Sequence, residues 1–266
     1  MALRFCILGS GSSGNAALLQ TENARVLVDA GFSARKLGQL LAAVGESLER
    51  IDAVFLTHEH GDHSTGIEGL KRFPHIKIFA NAPTARAVQR GLEHQPDWQI
   101  FQTGSRFCFR DLEIDTFSVP HDAQEPVGYR FTCGADGDLF SPRRSLAFLT
   151  DLGHAPQHVR EHIREVDVLV VEANHCPEML KADLRRPWPT KQRIGGRHGH
   201  LSNLAARELL ESIVGARWRH VFFTHLSRDC NSLAAVETAC GPVLVARNCG
   251  FSIVAPGGGT PWHEFS

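Results

Sequence analysis

The chain has 266 residues, with 28 Lys and Arg against 29 Asp and Glu and a formal net charge of -1 at pH 7. Hydrophobic residues make up 42% and charged residues 21%, which excludes a disordered chain, a collagen-like chain and a strongly basic nucleic-acid tail. The length favours a single α/β domain over residues 1–266, and the Gly/Pro-rich tail from about residue 255 is expected to be loosely held.

The composition also bears on location. No apolar run approaches the roughly 20 residues of a membrane helix, and the apolar stretch at the N-terminus ends at Leu8, too early for a secretory signal. The 7 cysteines are widely spaced and form no C-x-x-C motif, which argues against a disulfide framework and against a cysteine-rich zinc site. We therefore expect a cytoplasmic protein that does not contact membranes.

Predicted strands and helices alternate along the chain, as is typical of a layered α/β core. In the first part, strands are expected at 3–8, 16–21, 26–28, 53–57 and 76–79, with helices at 33–44 and 83–90. A strand-rich stretch at 106–133 and a surface loop at 134–144 precede further strands at 145–150, 168–171 and 221–224. The remaining helices are expected at 156–164, 201–213 and 231–240, and short strands end the chain.

The first predicted strand runs into a glycine-rich loop, Gly9–Gly14, which matches the G-x-G-x-x-G pattern of dinucleotide-binding folds. Asp29 follows about 20 residues after the first glycine, as that pattern requires. Only about ten residues separate the loop from the next apolar run, whereas a parallel crossover needs a dozen or more. The pattern is therefore rejected as a dinucleotide site, although its backbone N–H groups could face an anion.

Several apolar strands end in a side chain that can bind a metal. The six residues at such ends are Asp29, His58, His121, Asp151, Glu172 and His225. In layered α/β proteins, ligands bind beyond the carboxyl ends of strands. We therefore expect these side chains to share one site.

The densest motif is His58-Glu59-His60-Gly61-Asp62-His63, directly after a predicted buried strand. Imidazole nitrogens and carboxylate oxygens are the ligands that Zn²⁺ and similar ions accept. A solvated polar turn would be the simpler explanation for a single histidine, but not for three with a carboxylate in six residues. The motif predicts a loop wrapped around a metal.

Residues 57–63 resemble the H-x-H-x-D-H signature of the metallo-β-lactamase superfamily. Further motifs of that family follow in the expected order, around Asp29, His121, Asp151 and His225, so the resemblance spans roughly residues 5–254. It implies an α/β (α+β) fold, a four-layer αββα sandwich, with a binuclear metal site at one edge.

The resemblance implies two divalent ions per chain, Zn²⁺ by preference and Mn²⁺ as the alternative. The ligands implied for the first ion are His58, His60 and His121. Those implied for the second ion are Asp62, His63 and His225. Asp151 would bridge the two ions, and Asp29 would orient ligands through hydrogen bonds. A hydroxide shared by the ions would be the nucleophile.

Two later segments resemble the phosphodiesterase branch of the superfamily, which includes ribonuclease Z: residues 199–203 and 224–228. Within it the chain looks closest to the YycJ/WalJ-like bacterial proteins, regarded as cytoplasmic nucleases that act on DNA ends. The predicted catalytic residues are accordingly Asp62, His200 and Glu172, with His200 donating a proton and Glu172 fixing its tautomer. A plainer alternative is that His200 only neighbours a helix N-cap. Cys176 and Cys230 depart from the family pattern, which expects Asp and Asn there.

A basic segment, residues 181–200, precedes and includes this histidine. It carries six Lys and Arg against one acid, Asp183, in a chain of net charge -1. A solvated mobile loop would explain this too, but beside a metal site such a loop attracts phosphate, and Trp188 could stack on a base. The predicted substrate-binding residues are Arg185, Arg186, Lys191, Arg193, Arg197 and Arg228.

The leading hypothesis is a binuclear phosphodiesterase, a nuclease or exonuclease acting on nucleic acid, with DNA favoured over RNA. The alternative is an acyl hydrolase that uses the same metals on a thioester, lactone or β-lactam. A non-hydrolytic binding protein is disfavoured because the ligand set is complete. Flavin–iron members of the superfamily are disfavoured because no flavodoxin-like domain is present.

Overall fold

A computed structural model describes residues 3–138 and 142–265. Within these ranges the chain forms two seven-stranded mixed sheets that pack face to face, with helices on both outer faces. The predicted four-layer αββα sandwich is confirmed. No helix among these residues is long and apolar enough to cross a membrane.

The first sheet has the strand order β14-β1-β2-β3-β4-β5-β6. Its strands are β1 (Arg4–Gly9), β2 (Ala16–Gln20), β3 (Arg25–Val28), β4 (Ala53–Phe55), β5 (Lys77–Asn81), β6 (Trp98–Phe101) and β14 (His263–Glu264). β1 to β3 pair antiparallel, and β3 to β6 pair parallel. The predicted tight turn after β2 therefore exists, and it excludes the crossover of a dinucleotide fold.

The second sheet repeats this plan with the order β13-β12-β11-β10-β9-β8-β7. Its strands are β7 (Arg106–Phe109), β8 (Leu112–Ser118), β9 (Val127–Cys133), β10 (Arg144–Leu149), β11 (Val168–Glu172), β12 (His220–Thr224) and β13 (Gly250–Ile253). β7 to β10 pair antiparallel, and β10 to β13 pair parallel. β8 consequently runs in the same direction as β10, β11 and β12, so these four strands end at one edge.

Eight α-helices lie in the described part of the chain. They are α1 (Ala34–Ala43), α2 (Gly61–Ser64), α3 (Ala82–Gln89), α4 (Gln157–Arg164), α5 (Pro177–Ala182), α6 (Trp188–Ile194), α7 (Asn203–Ser212) and α8 (Leu233–Ala246). Five of them, α1, α3, α4, α7 and α8, cover the outer faces. Short 3-10 segments lie at Leu48–Arg50 and Thr65–Arg72. The starts of α1, α3, α7 and α8 are fixed by Ser33, Asn81, Ser202 and Ser232, whose side chains accept backbone N–H groups of the first turn.

Three apolar clusters hold these layers together. One lies between the sheets and contains the stacked rings of Phe55 and Phe79 with Tyr129 and Phe131. The second packs β10 to β12 against α4, α7 and α8, and the third packs β1 to β5 against α1 and α3. A strand that is buried on both faces needs a nearly continuous run of apolar residues. For this reason the parallel strands of this chain do not alternate between apolar and polar residues.

The C-terminal tail, which was expected to be loosely held, is instead docked on the first sheet. β14 pairs antiparallel with β1, and Phe265 is buried. The indole N–H of Trp262 donates to the carbonyl of Val44 at 3.0 Å, and the Arg4 guanidinium lies 4.0 Å above the Trp262 ring. The glycines before this segment therefore form a turn rather than a free end.

The other corrections to the predicted elements are local. The basic segment includes the end of α5 and the whole of α6 instead of forming one loop, and α8 continues to Ala246 past Pro242. In the predicted loop at 134–144, Ala135 bridges to Pro142, and residues 139–141 lie outside the described residues.

Candidate metal centre

The six side chains at the strand ends meet at one edge of the sandwich. Asp29 follows β3, His58 follows β4, and His121 lies beyond β8. Asp151 follows β10, Glu172 ends β11, and His225 follows β12. Each is nearly inaccessible to solvent. The convergence expected from the strand ends is therefore observed.

Three of these residues have an uncommon backbone conformation. Asp29, Asp151 and His225 have φ of 63°, 57° and 56°, in the left-handed region that few non-glycine residues occupy. This conformation costs on the order of 1–3 kcal/mol per residue and is concentrated at functional sites. Here it turns the chain sharply at a strand end, which lets the side chain point into the shared site.

One ligand group consists of three imidazoles. Nε2 of His58 lies 3.0 Å from Nδ1 of His60, and Nε2 of His121 lies 3.4 Å from the same atom. The second nitrogen of His58 lies 3.0 Å from the hydroxyl of Thr57, and that of His121 donates to the carbonyl of Gly199 at 3.1 Å. These partners fix the rings so that one nitrogen of each faces the same point.

The second group consists of Asp62, His63 and His225. Oδ2 of Asp62 lies 3.5 Å from Nε2 of each histidine. Nδ1 of His63 donates to Oδ2 of Asp29 at 2.7 Å, and Nδ1 of His225 lies 3.0 Å from Oε1 of Glu172. Both rings are thus oriented by a buried carboxylate, and Nε2 is the atom left for a ligand.

Asp151 lies between the two groups. Its Oδ2 is 3.2 Å from Nε2 of His63, while its Oδ1 is 3.9 Å from Nε2 of His121. Within the described residues, neither this Oδ2 nor Nε2 of His225 forms a hydrogen bond, although both atoms are buried. Buried polar atoms without partners are costly and require an explanation. A cation between them would satisfy both, and the His/Asp cluster is compatible with two divalent metal ions.

Electrostatics favour cations at this site. Burial lowers the pKa of His58 well below its usual value, and the neighbouring His63 ring lowers it further, so His58 keeps a free lone pair. Burial also acts to lower the pKa of His63, but the carboxylates of Asp151 and Asp29 outweigh it and raise that pKa well above its usual value. The buried negative charge that attracts a proton to His63 would equally attract a metal ion.

Three supporting residues were missed by the sequence analysis. Thr57 donates both its backbone N–H, at 2.8 Å, and its hydroxyl to Asp29. The Asn15 amide lies 3.3 Å from Oδ2 of Asp62, and a Cβ at Gly31 would overlap the Asp62 carbonyl oxygen. Both positions stand out in the sequence, because Asn15 directly follows the glycine-rich loop and Gly31 lies two residues after Asp29. Neither residue type, however, shows which side chain or backbone group it contacts.

Glu172 and His200 form a pair beside the ligand groups. Nδ1 of His200 donates to Oε1 of Glu172 at 2.7 Å, and Oε2 accepts the backbone N–H of Leu152 at 3.1 Å. Burial acts to raise the pKa of Glu172, but the His200 and His225 rings outweigh it and lower that pKa to about 2. The carboxylate therefore stays ionised and fixes His200 with Nε2 free.

Two clefts adjoin at His200. The smaller, the metal cleft, has a volume of about 230 Å³. Its lining includes five of the proposed ligands, His60, Asp62, His121, Asp151 and His225, together with Ser12, Arg186, Arg193 and Ser227. The larger, the side cavity, has a volume of about 620 Å³ and extends from His200 and His175 to α5 and α6.

The predicted substrate-binding residues divide into those near the clefts and those away from them. Arg186 and Arg193 line the metal cleft, and Lys191 lines the side cavity. The remaining three, which line neither of these clefts, are Arg185, Arg197 and Arg228.

The plainer alternative, a solvated mobile loop, does not fit three arginines of the basic segment, because each of them forms an ion pair. Arg186 pairs with Asp183 at 2.5 Å and with Asp229 at 3.1 Å. Arg185 pairs with Asp229 at 2.6 Å, and Arg193 pairs with Asp122. Through Asp122 and Asp229, these pairs anchor the segment to the loops after β8 and β12. They also offset much of its positive charge.

Comparison with known proteins agrees with the fold. The family model described as "Beta-lactamase superfamily domain" matches residues 24–226. "Exodeoxyribonuclease WalJ" of Streptococcus pneumoniae serotype 2 (strain D39 / NCTC 7466) is 34% identical over 235 residues, covering 87% of this chain and 84% of that protein. "Exodeoxyribonuclease YycJ" of Bacillus anthracis is 32% identical over 252 residues, covering 94% and 92%. The structure of Zn(2+)-bound PqqB from Methylobacterium extorquens shares the fold, with a TM-score of 0.72 at 17% identity and coverage of 97% and 99%.

The chain therefore belongs to the β-lactamase superfamily. The predicted family and its nuclease branch are confirmed, and the chain is a metal-dependent hydrolase of the metallo-β-lactamase fold.

Proposed function

We propose that this chain is an exonuclease that hydrolyses phosphodiester bonds in DNA at a centre of two divalent ions. The observation that carries the proposal is the Glu172–His200 pair beside the ligand cluster, because hydrolysis of a phosphodiester has to protonate a leaving oxygen. The relatives named as exodeoxyribonucleases support DNA over RNA as the substrate. A cytoplasmic location remains a prediction.

The proposed ligands are the seven predicted from the sequence. The first ion would be held by His58, His60 and His121, and the second by Asp62, His63 and His225, with Asp151 between them. When bound, the ions would supply Lewis acidity toward a water molecule and the scissile phosphate. Zn²⁺ is the expected metal and Mn²⁺ the alternative, since both accept this donor set.

The chain's own residues complete the proposed reaction. His200 would hold a proton at Nε2 for the leaving oxygen, since Nδ1 is committed to Glu172. Asp62, the third predicted catalytic residue, would contribute as a ligand positioned by Asn15. Arg186 and Arg193 would face the phosphate backbone at the rim of the metal cleft.

A substrate panel tests this proposal against the acyl-hydrolase alternative. We expect metal-loaded protein to release nucleotides from the ends of labelled DNA, more slowly from RNA, and to hydrolyse a bis-nitrophenyl phosphodiester weakly. A thioester, a lactone and a β-lactam should be poor substrates. Rapid acyl hydrolysis without cleavage of any nucleic acid would instead support the alternative.

The double variant Arg186→Ala/Arg193→Ala should bind DNA more weakly and with a flatter salt dependence. Removing one arginine–phosphate interaction should reduce the slope of log K against log salt by about 0.7–0.9, so we expect the slope to fall by about one to two for the pair. Hydrolysis of the nitrophenyl phosphodiester should change little, because that substrate has no extended backbone. Binding is measured by fluorescence anisotropy over a salt series.

The matched control is Arg217→Ala, which removes an exposed arginine paired with Glu165, outside the residues that line the metal cleft. It should leave the salt slope unchanged. A double variant with an unchanged slope would show that the two arginines only anchor the segment, through their carboxylate partners.

A further inference from the structure

We propose that the side cavity next to His200 is a nucleobase subsite, which holds the base of the nucleotide whose phosphate lies at the metal cleft by stacking it on Trp188. This inference rests on the proposed nuclease function and specifies where that substrate binds. It assigns to Trp188 a part in substrate positioning.

The position of the cavity supports this role. Its volume of about 620 Å³ is within the range of about 300–1,000 Å³ typical of small-molecule sites. His200 lines both this cavity and the metal cleft, so the two spaces adjoin at the predicted proton donor. A nucleotide with its phosphate in the metal cleft can therefore extend its base into the cavity.

Trp188 provides the stacking surface. It begins α6, directly after Pro187 and before Pro189, and it lines the cavity with 65% of its surface exposed. Among the large apolar side chains exposed in the described part of the chain, it is the only aromatic one. An exposed aromatic ring that lines a cavity offers a face on which any of the four bases can stack.

His175 lines the same cavity and is itself buried. It bridges to Ser202, and the backbone N–H of Asn203 donates to its carbonyl at 2.8 Å, so its backbone is fixed. Its Nδ1 forms no hydrogen bond within the described residues. Burial lowers the pKa of His175 to about 4, so this ring is neutral and adds an uncharged wall to the cavity.

The charge of the lining also fits a nucleotide. Lys181 and Lys191 contribute two ammonium groups, and none of the residues that line the cavity is acidic. Nζ of Lys191 donates to the carbonyl of Lys181 at 2.9 Å, which ties α6 to α5. Pro177 and Leu180 add apolar wall beneath these groups. A nucleotide fits this lining, because its phosphate is attracted by ammonium groups and its flat base can pack against an apolar wall.

Quenching of tryptophan fluorescence by dAMP tests the subsite without requiring turnover. Metal-loaded wild-type protein should show saturable quenching with dAMP and none with deoxyribose 5-phosphate, which has the phosphate but no base. Trp188→Phe should remove the quenching, because a base stacked on the phenyl ring of that variant no longer affects an indole. Absence of quenching in the wild type, or its persistence in Trp188→Phe, would overturn the proposal.

Kinetics provide the second measurement. Trp188→Ala should raise KM for DNA about five- to tenfold with kcat little changed, and Trp188→Phe should restore KM. The effect should vanish on DNA that is abasic at the cleaved nucleotide. Leu184→Ala is the matched control, because Leu184 is 99% exposed in the same segment but does not line the cavity.

The two proposals fail in different ways. An equal effect of Trp188→Ala on normal and abasic DNA would mean that Trp188 only supports the fold of α6, and the subsite would be rejected while the nuclease stands. Quenching by dAMP in a protein that cleaves no nucleic acid would reject the nuclease but not the base-binding cavity.

Discussion

Replacing His60 with alanine is expected to remove at least one of two bound ions and reduce hydrolysis to background. Nδ1 of His60 is the atom that both His58 and His121 approach, at 3.0 and 3.4 Å, so its loss leaves two imidazoles where three are needed. Elemental analysis of the purified protein should give two ions per chain for the wild type and at most one for the variant. Activity should follow metal content.

Thermal unfolding gives an independent readout of the same site. A ligand that binds only the folded state at 100 times its Kd stabilises that state by about 2.7 kcal/mol. Chelation should therefore lower the Tm of the wild type more than that of His60→Ala.

The control for this variant is His75→Ala, which removes an exposed histidine after the 3-10 segment at Thr65–Arg72. It should retain both ions and full activity. If His60→Ala also kept two ions and full activity, the cluster would not be the metal centre, and the proposed ligand set would have to be abandoned.

Short-range sequence patterns were sufficient to predict a layered α/β core and the meeting of the strand-end residues, whereas the αββα arrangement followed from the family resemblance. Apolar runs followed by a His, Asp or Glu locate strand ends, and parallel strands bring such ends to one edge. The motif from His58 to His63 is local, so its side chains share a loop whatever the rest of the chain does.

The basic segment was harder to interpret from sequence because its partners are distant along the chain. Arg186 pairs with Asp229 and Arg193 with Asp122, at separations of 43 and 71 residues. A count of charges over residues 181–200 does not include Asp229 or Asp122, so it overestimates the net positive charge of the folded segment. The two prolines around Trp188 were compatible with a loop, yet Pro189 falls in the first turn of α6, where its missing N–H costs no hydrogen bond.

The docked tail was missed for a related reason. Its composition, rich in Gly and Pro, is typical of a loose end, but composition does not register the pairing of β14 with β1 at the far end of the chain. Composition and local pattern also do not reveal the partners of Asn15 and Thr57. Asn15 contacts Asp62, and Thr57 donates to Asp29, only when the first sheet has assembled.

Replacing His200 with alanine is expected to leave both ions bound and to lower kcat for DNA by about 10²–10⁴-fold, the range for a lost proton donor. Nδ1 of His200 is held by Glu172 at 2.7 Å, which leaves Nε2 to serve the leaving oxygen. A nitrophenolate needs little protonation as it departs, whereas a nucleoside alkoxide needs much. The loss of kcat should therefore be far smaller on a nitrophenyl phosphodiester than on DNA.

This leaving-group contrast separates three roles for His200. A proton donor gives a large loss on DNA, a small loss on the nitrophenyl ester and unchanged metal content. The ring of His200 also lies close enough to Asp151 and His225 to share a metal ion with them. If it is a metal ligand, metal content and activity on both substrates should fall together. A residue that only precedes the α7 N-cap gives equal small losses on both substrates. His198→Ala, two positions earlier and exposed, should behave as wild type in every assay.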